Sequence, residues 1–198
     1  MTRAVSMTRY GGPDVLVCGR VASPSPGAGD IVIRTIAAAV NHTDLEIRAG
    51  NWPIRRAAPF PYVPGVEVLG EVEALGAAVN DLRPGQRVIT MMQGLGGVRA
   101  ERAGGYAERV VVPAETVACL PDRLDPLGFA AVGLAGVTAH AGLRRMGALG
   151  GKRILITGAA GASARRRSVS RGRWGLRSPP SSRARNRPTL PAASEPRR

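Results

Sequence analysis

The amino-acid sequence predicts a mainly β fold: a closed or nearly closed β-barrel, then a helix, a single β-run and a polar tail. Three observations predict it. Short runs of β-forming residues, separated by glycine and proline, fill the first 122 residues. A helical stretch of Ala, Leu and Gly follows them, and an apolar run then enters a Gly-Ala-Ala-Gly loop.

The barrel strands are predicted from their β-forming residues and from the turn signals between them. The predicted strands are, in order, Arg3–Met7, Val15–Val21, Ile31–Val40, Val66–Leu75, Arg87–Met91 and Tyr106–Val112. Clusters typical of turns lie at 11–14 (GGPD), 23–30 (SPSPGAGD) and 83–86 (RPGQ). Many short strands without long helices between them favour a barrel.

The pattern changes from strand to helix after residue 121. Asp125 followed by Pro126 is a candidate N-cap and first helical residue, and residues 134–149 have helical character. Residues 153–157 (RILIT) then form an apolar run that enters GAAG at 158–161. Alone, that tetrapeptide fits an ordinary turn better. Its position after a β-run is that of the first phosphate loop in a dinucleotide-binding fold.

The positive charge is concentrated at the C-terminal end. The formal charge is +14, and residues 162–198 contain 11 arginines against the single acidic Glu195. This segment has no apolar period and is rich in Ser and Pro, so we expect it to be disordered. A basic nucleic-acid arm is one interpretation, but a solvated tail without a partner is favoured.

Composition and cysteine content argue against several classes of protein. The longest weakly polar run, Leu127–Leu143, is interrupted by glycines and falls short of the roughly 20 apolar residues of a spanning helix. Two cysteines, Cys18 and Cys119, cannot form a disulfide framework or a four-thiolate zinc site, and residues 1–12 lack the apolar stretch of a signal peptide. We therefore expect no membrane association and a reducing cytoplasm.

Three motif blocks occur in a characteristic order: AAAVNHTDLEIRAGNWP at 37–53, PGVEVLGEVEALGAAVNDLRPGQRV at 64–88 and GGYAERVVVPAETVACLPD at 104–122. They lead into GLAGVTAHAGLRRMGALGGKRILITGAAG at 133–161. In these blocks the chain resembles the medium-chain dehydrogenase/reductase superfamily, specifically its zinc-independent quinone oxidoreductase (zeta-crystallin-like) branch. The resemblance covers residues 1–161.

The resemblance implies a domain layout. Residues 1–122 correspond to a GroES-like β-barrel catalytic domain. Residues 123–161 correspond to the bridging helices, first strand and glycine loop of an incomplete Rossmann domain, and residues 162–198 form the tail. In the family the nicotinamide of NADPH lies in the cleft between the two domains, and the protein is often a homodimer. We do not expect this chain to dimerise in that way.

The same resemblance implies chemistry without a metal. Zinc alcohol dehydrogenases have Cys at the position of Asn41 and His at the position of Val66, so only Glu67 remains of that set, and one carboxylate does not make a tetrahedral site. His42 and His140 lack convergent partners in the sequence and are expected to be surface or hydrogen-bonded residues. The implied reaction is hydride transfer from NADPH to a quinone or conjugated carbonyl, a small-molecule acceptor.

Site residues follow from the family position by position. Asn41 corresponds to the catalytic asparagine beside the nicotinamide, and Thr138 to a threonine near the same end of the cofactor. Glu46 and Trp52 replace tyrosines that often line the acceptor pocket. The residues at the cofactor phosphates would be Gly158, Ala159, Ala160 and Gly161. Alternatives stay open: a helix cap for Asn41 or Thr138, and a plug at the barrel rim for Trp52.

The resemblance stops after Gly161. The family continues with Gly-Val-Gly and an alanine-rich helix, whereas this chain continues with Ala162 and soon three arginines. Translation of the same bases one position earlier can give Gly-Val-Gly, alanines and a Rossmann-like continuation. Trp174 has only one codon, so its last base and the first two bases of the next codon must encode Gly in the shifted frame, at the position where the Rossmann-like continuation needs a turn. We therefore expect a truncated, frameshifted chain with little or no activity, and an uncovered apolar region at 127–149.

Two other functions remain as alternatives. One is a binding module in which the barrel is a scaffold and the basic tail contacts nucleic acid, which predicts steep salt dependence. The other is a zinc alcohol dehydrogenase-like enzyme with unusual ligands.

Overall fold

A computed structural model describes residues 1–53, 60–99, 101–156 and 161. The chain divides into two compact units, Met1–Thr138 and Ala139–Arg198. The first unit contains every strand named below. The predicted disordered tail at 162–198 lies outside the described residues.

Within the described residues, seven strands form two antiparallel sheets. They are β1 (Thr2–Ser6), β2 (Val17–Val21), β3 (Asp30–Ala37), β4 (Glu67–Leu75), β5 (Arg87–Met91), β6 (Arg109–Pro113) and β7 (Ala118–Cys119). Strands β1 and β2 form a hairpin, and the other five pair in the order β6-β3-β4-β5-β7. An isolated bridge between Ala4 and Ala107 joins the hairpin to the segment before β6. The fold is mainly β, as predicted.

All six predicted strands are present; Arg87–Met91 matches to the residue, and the other five have shifted ends. Residues Pro13–Val15 form a 3-10 turn, so β2 begins two residues later than predicted. Strand β3 ends at Ala37, and Val40, which the prediction included, is 69% exposed in the following loop. Only β7 was missed, because two residues are too short to show a period.

Alternating side chains cover both faces of the larger sheet. On one face Ile31, Ile33, Val68 and Val88 pack in the main buried cluster. On the other face Leu69, Ile89 and Ala130 form a second cluster with half-buried Phe129. The side chains of successive strand residues point to opposite faces of the sheet. Where both faces are covered, the sequence at the middle of a strand is therefore a continuous apolar run.

Among the described residues there are three α-helices, α1 (His42–Ala49), α2 (Pro126–Ala130) and α3 (Gly133–Arg145), the last beginning one residue before the predicted helical stretch. Helix α1 begins after the N-cap Asn41 and ends at Gly50, whose φ of 79° is in the left-handed region that favours glycine. Helix α2 begins after Asp125, whose carboxylate accepts hydrogen bonds from the backbone N–H groups of Leu127 and Gly128. The Asp125 N-cap is thus confirmed.

The described part of the second unit contains the end of α3 and the residues after it. The helix ends at Arg145, four residues before the predicted end, and Gly147 has a φ of 73°. Leu143 and Leu149 are buried together, with Ile154 against them. Residues 153–156 of the predicted β-run belong to no strand. A parallel strand requires a neighbour for its hydrogen bonds, and the described residues provide none.

The expected exposure of the apolar region 127–149 is found in part. Leu127 and Val137 are 62% and 51% exposed, whereas Leu143 and Leu149 are buried. Leu143 and Leu149 belong to one buried cluster, a contact that the sequence did not predict. Across the described ranges, no helix is long and apolar enough to cross a membrane.

Candidate functional site

Asn41 is fixed at the start of α1 by backbone hydrogen bonds. Its N–H donates to Asp44 Oδ2 at 2.7 Å, and the Asp44 N–H donates to the Asn41 carbonyl at 3.0 Å. This reciprocal pair satisfies donors at the helix N-terminus that have no partner within the helix. The N-cap interpretation of Asn41 is therefore confirmed, and it leaves the side chain available for other contacts.

Asp44 ties the helix to the strand region that follows. Its side chain is 4% exposed, and Oδ1 accepts a hydrogen bond from the Val66 N–H at 2.9 Å. Burial raises the pKa of Asp44, and the backbone hydrogen bonds from Asn41 and Val66 oppose that rise. Tyr106 lies close enough for the Asp44 charge to reinforce the effect of burial, and both raise the pKa of the phenol. The position of α1 therefore depends on a buried carboxyl group.

The Asn41 side chain points to Glu67, the first residue of β4. Asn41 Nδ2 donates to Glu67 Oε2 at 3.0 Å, and the Leu134 N–H in the first turn of α3 donates to the same oxygen at 3.2 Å. Glu67 is 1% exposed. Because a carboxylate accepts only, this contact determines which way the Asn41 amide faces. One buried carboxyl group thus holds the loop before α1 and the start of α3.

Gly133 provides the space that Glu67 occupies. A Cβ on Gly133 would lie 1.5 Å from Glu67 Oε1. That oxygen is buried and has no hydrogen-bond partner among the described residues. No side chain other than hydrogen fits at position 133 while the carboxylate keeps this position.

Thr138 lies one turn further along α3. Its hydroxyl donates to the Leu134 carbonyl at 2.8 Å, and the residue is exposed. Asn41 and Thr138, the two residues expected beside the nicotinamide, are therefore connected through Glu67 and Leu134. The helix-cap alternative for Thr138 does not hold, because the hydroxyl bonds to the carbonyl of residue i−4 inside the helix.

Trp52 packs beside this network. The indole Nε1 donates to the Val98 carbonyl at 3.1 Å, and the ring packs against a cluster that includes Ile47, Val66 and Leu134. The ring is half-buried, with its one polar atom engaged. Its orientation is thus held by a hydrogen bond and by packing, which is compatible both with a barrel plug and with stacking on a flat ligand.

Glu46 lies on α1 and has a different environment. Its Oε1 is 3.6 Å from His42 Nε2, one turn earlier on the helix, and His42 is largely exposed. Among the described residues, no hydrogen bond joins Glu46 to Asn41 or Glu67. The structure therefore brings Asn41, Glu67 and Thr138 into one network and leaves Glu46 outside it.

Sequence reasoning missed the loop that follows β5. Met92 and Gln93 have φ values of 67° and 23°, uncommon for residues other than glycine, and Gly94 has 78°. The Met92 N–H donates to the Val66 carbonyl, and the Met92 side chain packs against the same buried cluster of Ile47, Val66 and Val98 as Trp52 does. No sequence pattern indicates a positive φ at a residue other than glycine, so the sequence alone does not predict this loop conformation.

The other predicted site residues are placed as follows. Gly158, Ala159 and Ala160 lie outside the described residues, and Gly161 is exposed in a bend. His140 makes an interaction and is not an isolated imidazole. Among the residues described, no three His, Cys, Asp or Glu side chains converge on one point. At the positions discussed for zinc, the side chains are an amide, an isopropyl group and a carboxylate.

A family model for the alcohol dehydrogenase GroES-like domain matches residues 27–122. Quinone oxidoreductase of Lama guanicoe is 35% identical over 163 residues, which cover 81% of this chain and 46% of that protein. Alcohol dehydrogenases also match, among them one from a Moraxella species at 33% identity over 157 residues, 70% of this chain and 46% of that protein. The chain spans about half the length of the curated relatives it matches.

Solved structures also match most of this chain. A quinone oxidoreductase of Pseudomonas syringae superposes with a TM-score of 0.76 at 28% identity, over 89% of this chain and 51% of that one. A mycobacterial protein complexed with NADPH superposes with a TM-score of 0.73 at 30% identity, over 89% and 50%.

Proposed function

The chain belongs to the medium-chain dehydrogenase/reductase superfamily, in its quinone oxidoreductase branch, and from that membership we propose an NADPH-dependent, metal-free reduction of a quinone or conjugated carbonyl. The family is one of oxidoreductase enzymes. The observation that supports the proposal is the position of Asn41, whose amide donates to Glu67, the same carboxylate that accepts a hydrogen bond from the first turn of α3.

The residues present fit a nicotinamide better than a zinc ion. A carboxamide ring substituent carries N–H donors and a carbonyl acceptor. Asn41 Nδ2 donates to Glu67 and to the Ala39 carbonyl, so the Asn41 amide oxygen is the group that can accept an N–H of that carboxamide. Zinc sites use thiolates and imidazoles together with carboxylates, and Val66 has no donor atom. Bound NADPH would supply the hydride.

The protein residues contribute orientation. Glu67 fixes the Asn41 amide from one side, and Leu134 connects the same carboxylate to the helix that holds Thr138. The half-buried Trp52 ring has a fixed plane, on which a flat quinone can stack. Such preorganised geometry lowers the barrier of a two-reactant step by aligning the reacting groups in advance.

We test the proposal with NADPH oxidation by 1,4-benzoquinone and by a conjugated ketone, followed at 340 nm, in protein treated with a chelator. Because the whole relatives are about twice as long, the assay uses the gene product with a complete cofactor domain. Turnover that survives the chelator is expected. Turnover lost to the chelator and restored by zinc would support the alternative of a zinc alcohol dehydrogenase.

We further propose that the codons after 161 are read one base away from the family frame, so that the 198-residue chain binds NADPH weakly or not at all. The support is the shifted translation, which restores Gly-Val-Gly and a helix. The DNA sequence of codons 155–180 and downstream tests this. An interrupted shifted frame contradicts it, and so does micromolar NADPH binding with turnover by the 198-residue chain.

We also propose a reducing compartment, the cytoplasm, for this protein. Cys18 and Cys119 are both exposed and free, so neither is protected from oxidation by burial. Labelling both thiols in freshly lysed cells is the test, and labelling of neither would contradict the proposal.

A further inference from the structure

A separate cavity of about 510 Å³ opens on the first unit, and none of its lining residues belongs to the Asn41–Glu67 network. Its walls come from the end of β2, from residues 61–63 and from residues 101–103. The volume is in the range of small-molecule sites. The polar lining is unusual, because the side-chain atoms in it that are buried without a partner, Tyr62 Oη and Arg102 Nε, are hydrogen-bond donors.

Two donors in these walls lack acceptors. Tyr62 Oη and Arg102 Nε are buried and have no hydrogen-bond partner among the described residues. A buried hydrogen-bond donor without an acceptor costs free energy, so two unsatisfied donors in one cavity are rare unless a bound group accepts from them. Burial raises the pKa of Tyr62 to about 12, so the phenol keeps its proton and remains a donor near neutral pH. An occupant that satisfies this cavity must offer acceptor oxygens.

The charge of the cavity also favours an anion. Arg102 is 4.0 Å from Asp30, the outer limit of an ion pair, and about 33% of its side chain is exposed although its Nε is buried. Arg20, on the same cavity, forms no ion pair within the described part of the chain. Glu101 is the one carboxylate of the lining, and a Cβ on Gly94 would lie 2.6 Å from its Oε2. That carboxylate therefore faces Gly94, and no ion pair joins it to Arg20 or Arg102.

Apart from Ser6 and Gly97, the remaining lining is apolar and suits an organic body. Val21, Ala22, Pro61, Val63 and Ala103 surround the polar groups. We propose that this cavity binds a small organic carboxylate, with its carboxylate on Arg102, Arg20 and the Tyr62 hydroxyl and its apolar body on the remaining wall. A planar guanidinium matches the two oxygens of a carboxylate, and charge-assisted hydrogen bonds are the stronger ones.

Isothermal titration of the 198-residue chain with sodium benzoate at constant ionic strength tests the proposal. Benzyl alcohol, which has the same ring without the charge, is the ligand control. Arg102→Gln is expected to weaken benzoate binding roughly tenfold or more, and Tyr62→Phe several-fold. The matched control Arg83→Gln changes an exposed arginine of a turn outside the cavity and should leave the affinity unchanged.

Several outcomes would overturn the proposal. They are an absence of benzoate binding at millimolar concentration, equal affinities in all variants, and equal binding of benzyl alcohol. Sodium phosphate that binds more tightly than benzoate would show a site for small inorganic anions instead. Thermal melting of each variant checks folding, and Tyr62→Phe keeps the ring, so at least one variant remains informative. Asn41→Ala should leave benzoate binding intact, which separates this site from the proposed enzymatic one.

Discussion

Substitution of Gly133 by Ala tests the contact that joins β4 to α3. The new Cβ would lie 1.5 Å from Glu67 Oε1, so the carboxylate must move away. It would then lose its hydrogen bonds from Asn41 Nδ2 and the Leu134 N–H. Each such bond to a charged group contributes about 1.5–3 kcal/mol, and Ala regains at most about 1 kcal/mol of helix propensity. The free energy of unfolding should fall by about 2–5 kcal/mol.

Urea unfolding followed by circular dichroism measures this change, and Gly136→Ala is the matched control. Gly136 lies on the same helix, and a Cβ there would be 3.6 Å from the Val132 side chain, an ordinary contact. This control should raise stability by up to about 1 kcal/mol. The two Gly→Ala substitutions have the same effect on helix propensity. If they change the free energy of unfolding in opposite directions, the difference is due to the Glu67 contact.

A double-mutant cycle completes the test. In a Glu67→Ala background the carboxylate is gone, so Gly133→Ala should cost little or nothing. If Gly133→Ala is as stable as the unchanged protein, or if its cost persists in that background, the reasoning about position 133 is refuted.

Three further predictions concern buried polar groups. The first compares the unfolding free energy of the unchanged protein with that of Asp44→Asn. This difference should fall as the pH rises from about 3.9 through the raised pKa of Asp44, because the folded state holds the Asp44 proton more tightly than the unfolded state does. A difference in unfolding free energy that grows with pH in urea titrations would contradict this. Tyr62→Phe removes a buried hydroxyl without a partner and should raise the free energy of unfolding by about 1 kcal/mol, whereas a loss of stability would show a partner for that hydroxyl. Asn41→Asp places a second carboxylate about 3 Å from Glu67 and should cost about 2–4 kcal/mol at pH 7 and less at pH 4, and equal costs at both pH values would exclude charge repulsion as the cause.

Local patterns were sufficient for most of the fold. The start of α2 was predictable because Asp125 and Pro126 act within one turn of helix. The strand segment Arg87–Met91 was predicted to the residue, since it lies between a clear turn and a change of pattern. Leu143 and Leu149 were misjudged because their partner contact joins residues on either side of a helix end, and no local period reports such a contact.

The candidate site was predictable only in part. Asn41 and Thr138 were named from family positions, but neither spacing nor composition reveals that Glu67 connects them. The need for Gly133 depends on a carboxylate 66 residues earlier in the chain, and a glycine in an Ala- and Gly-rich helix gives no signal of its own. Contacts of this kind are long-range and become visible only when the two elements are packed together.

The most direct test of the proposed function is chelator-treated NADPH oxidation by the frame-restored protein, compared with its Asn41→Ala variant. We expect turnover with 1,4-benzoquinone that is insensitive to the chelator and is reduced roughly a hundredfold in the variant. Equal rates for the two proteins, or turnover that requires added zinc, would contradict the assignment of metal-free hydride transfer at Asn41.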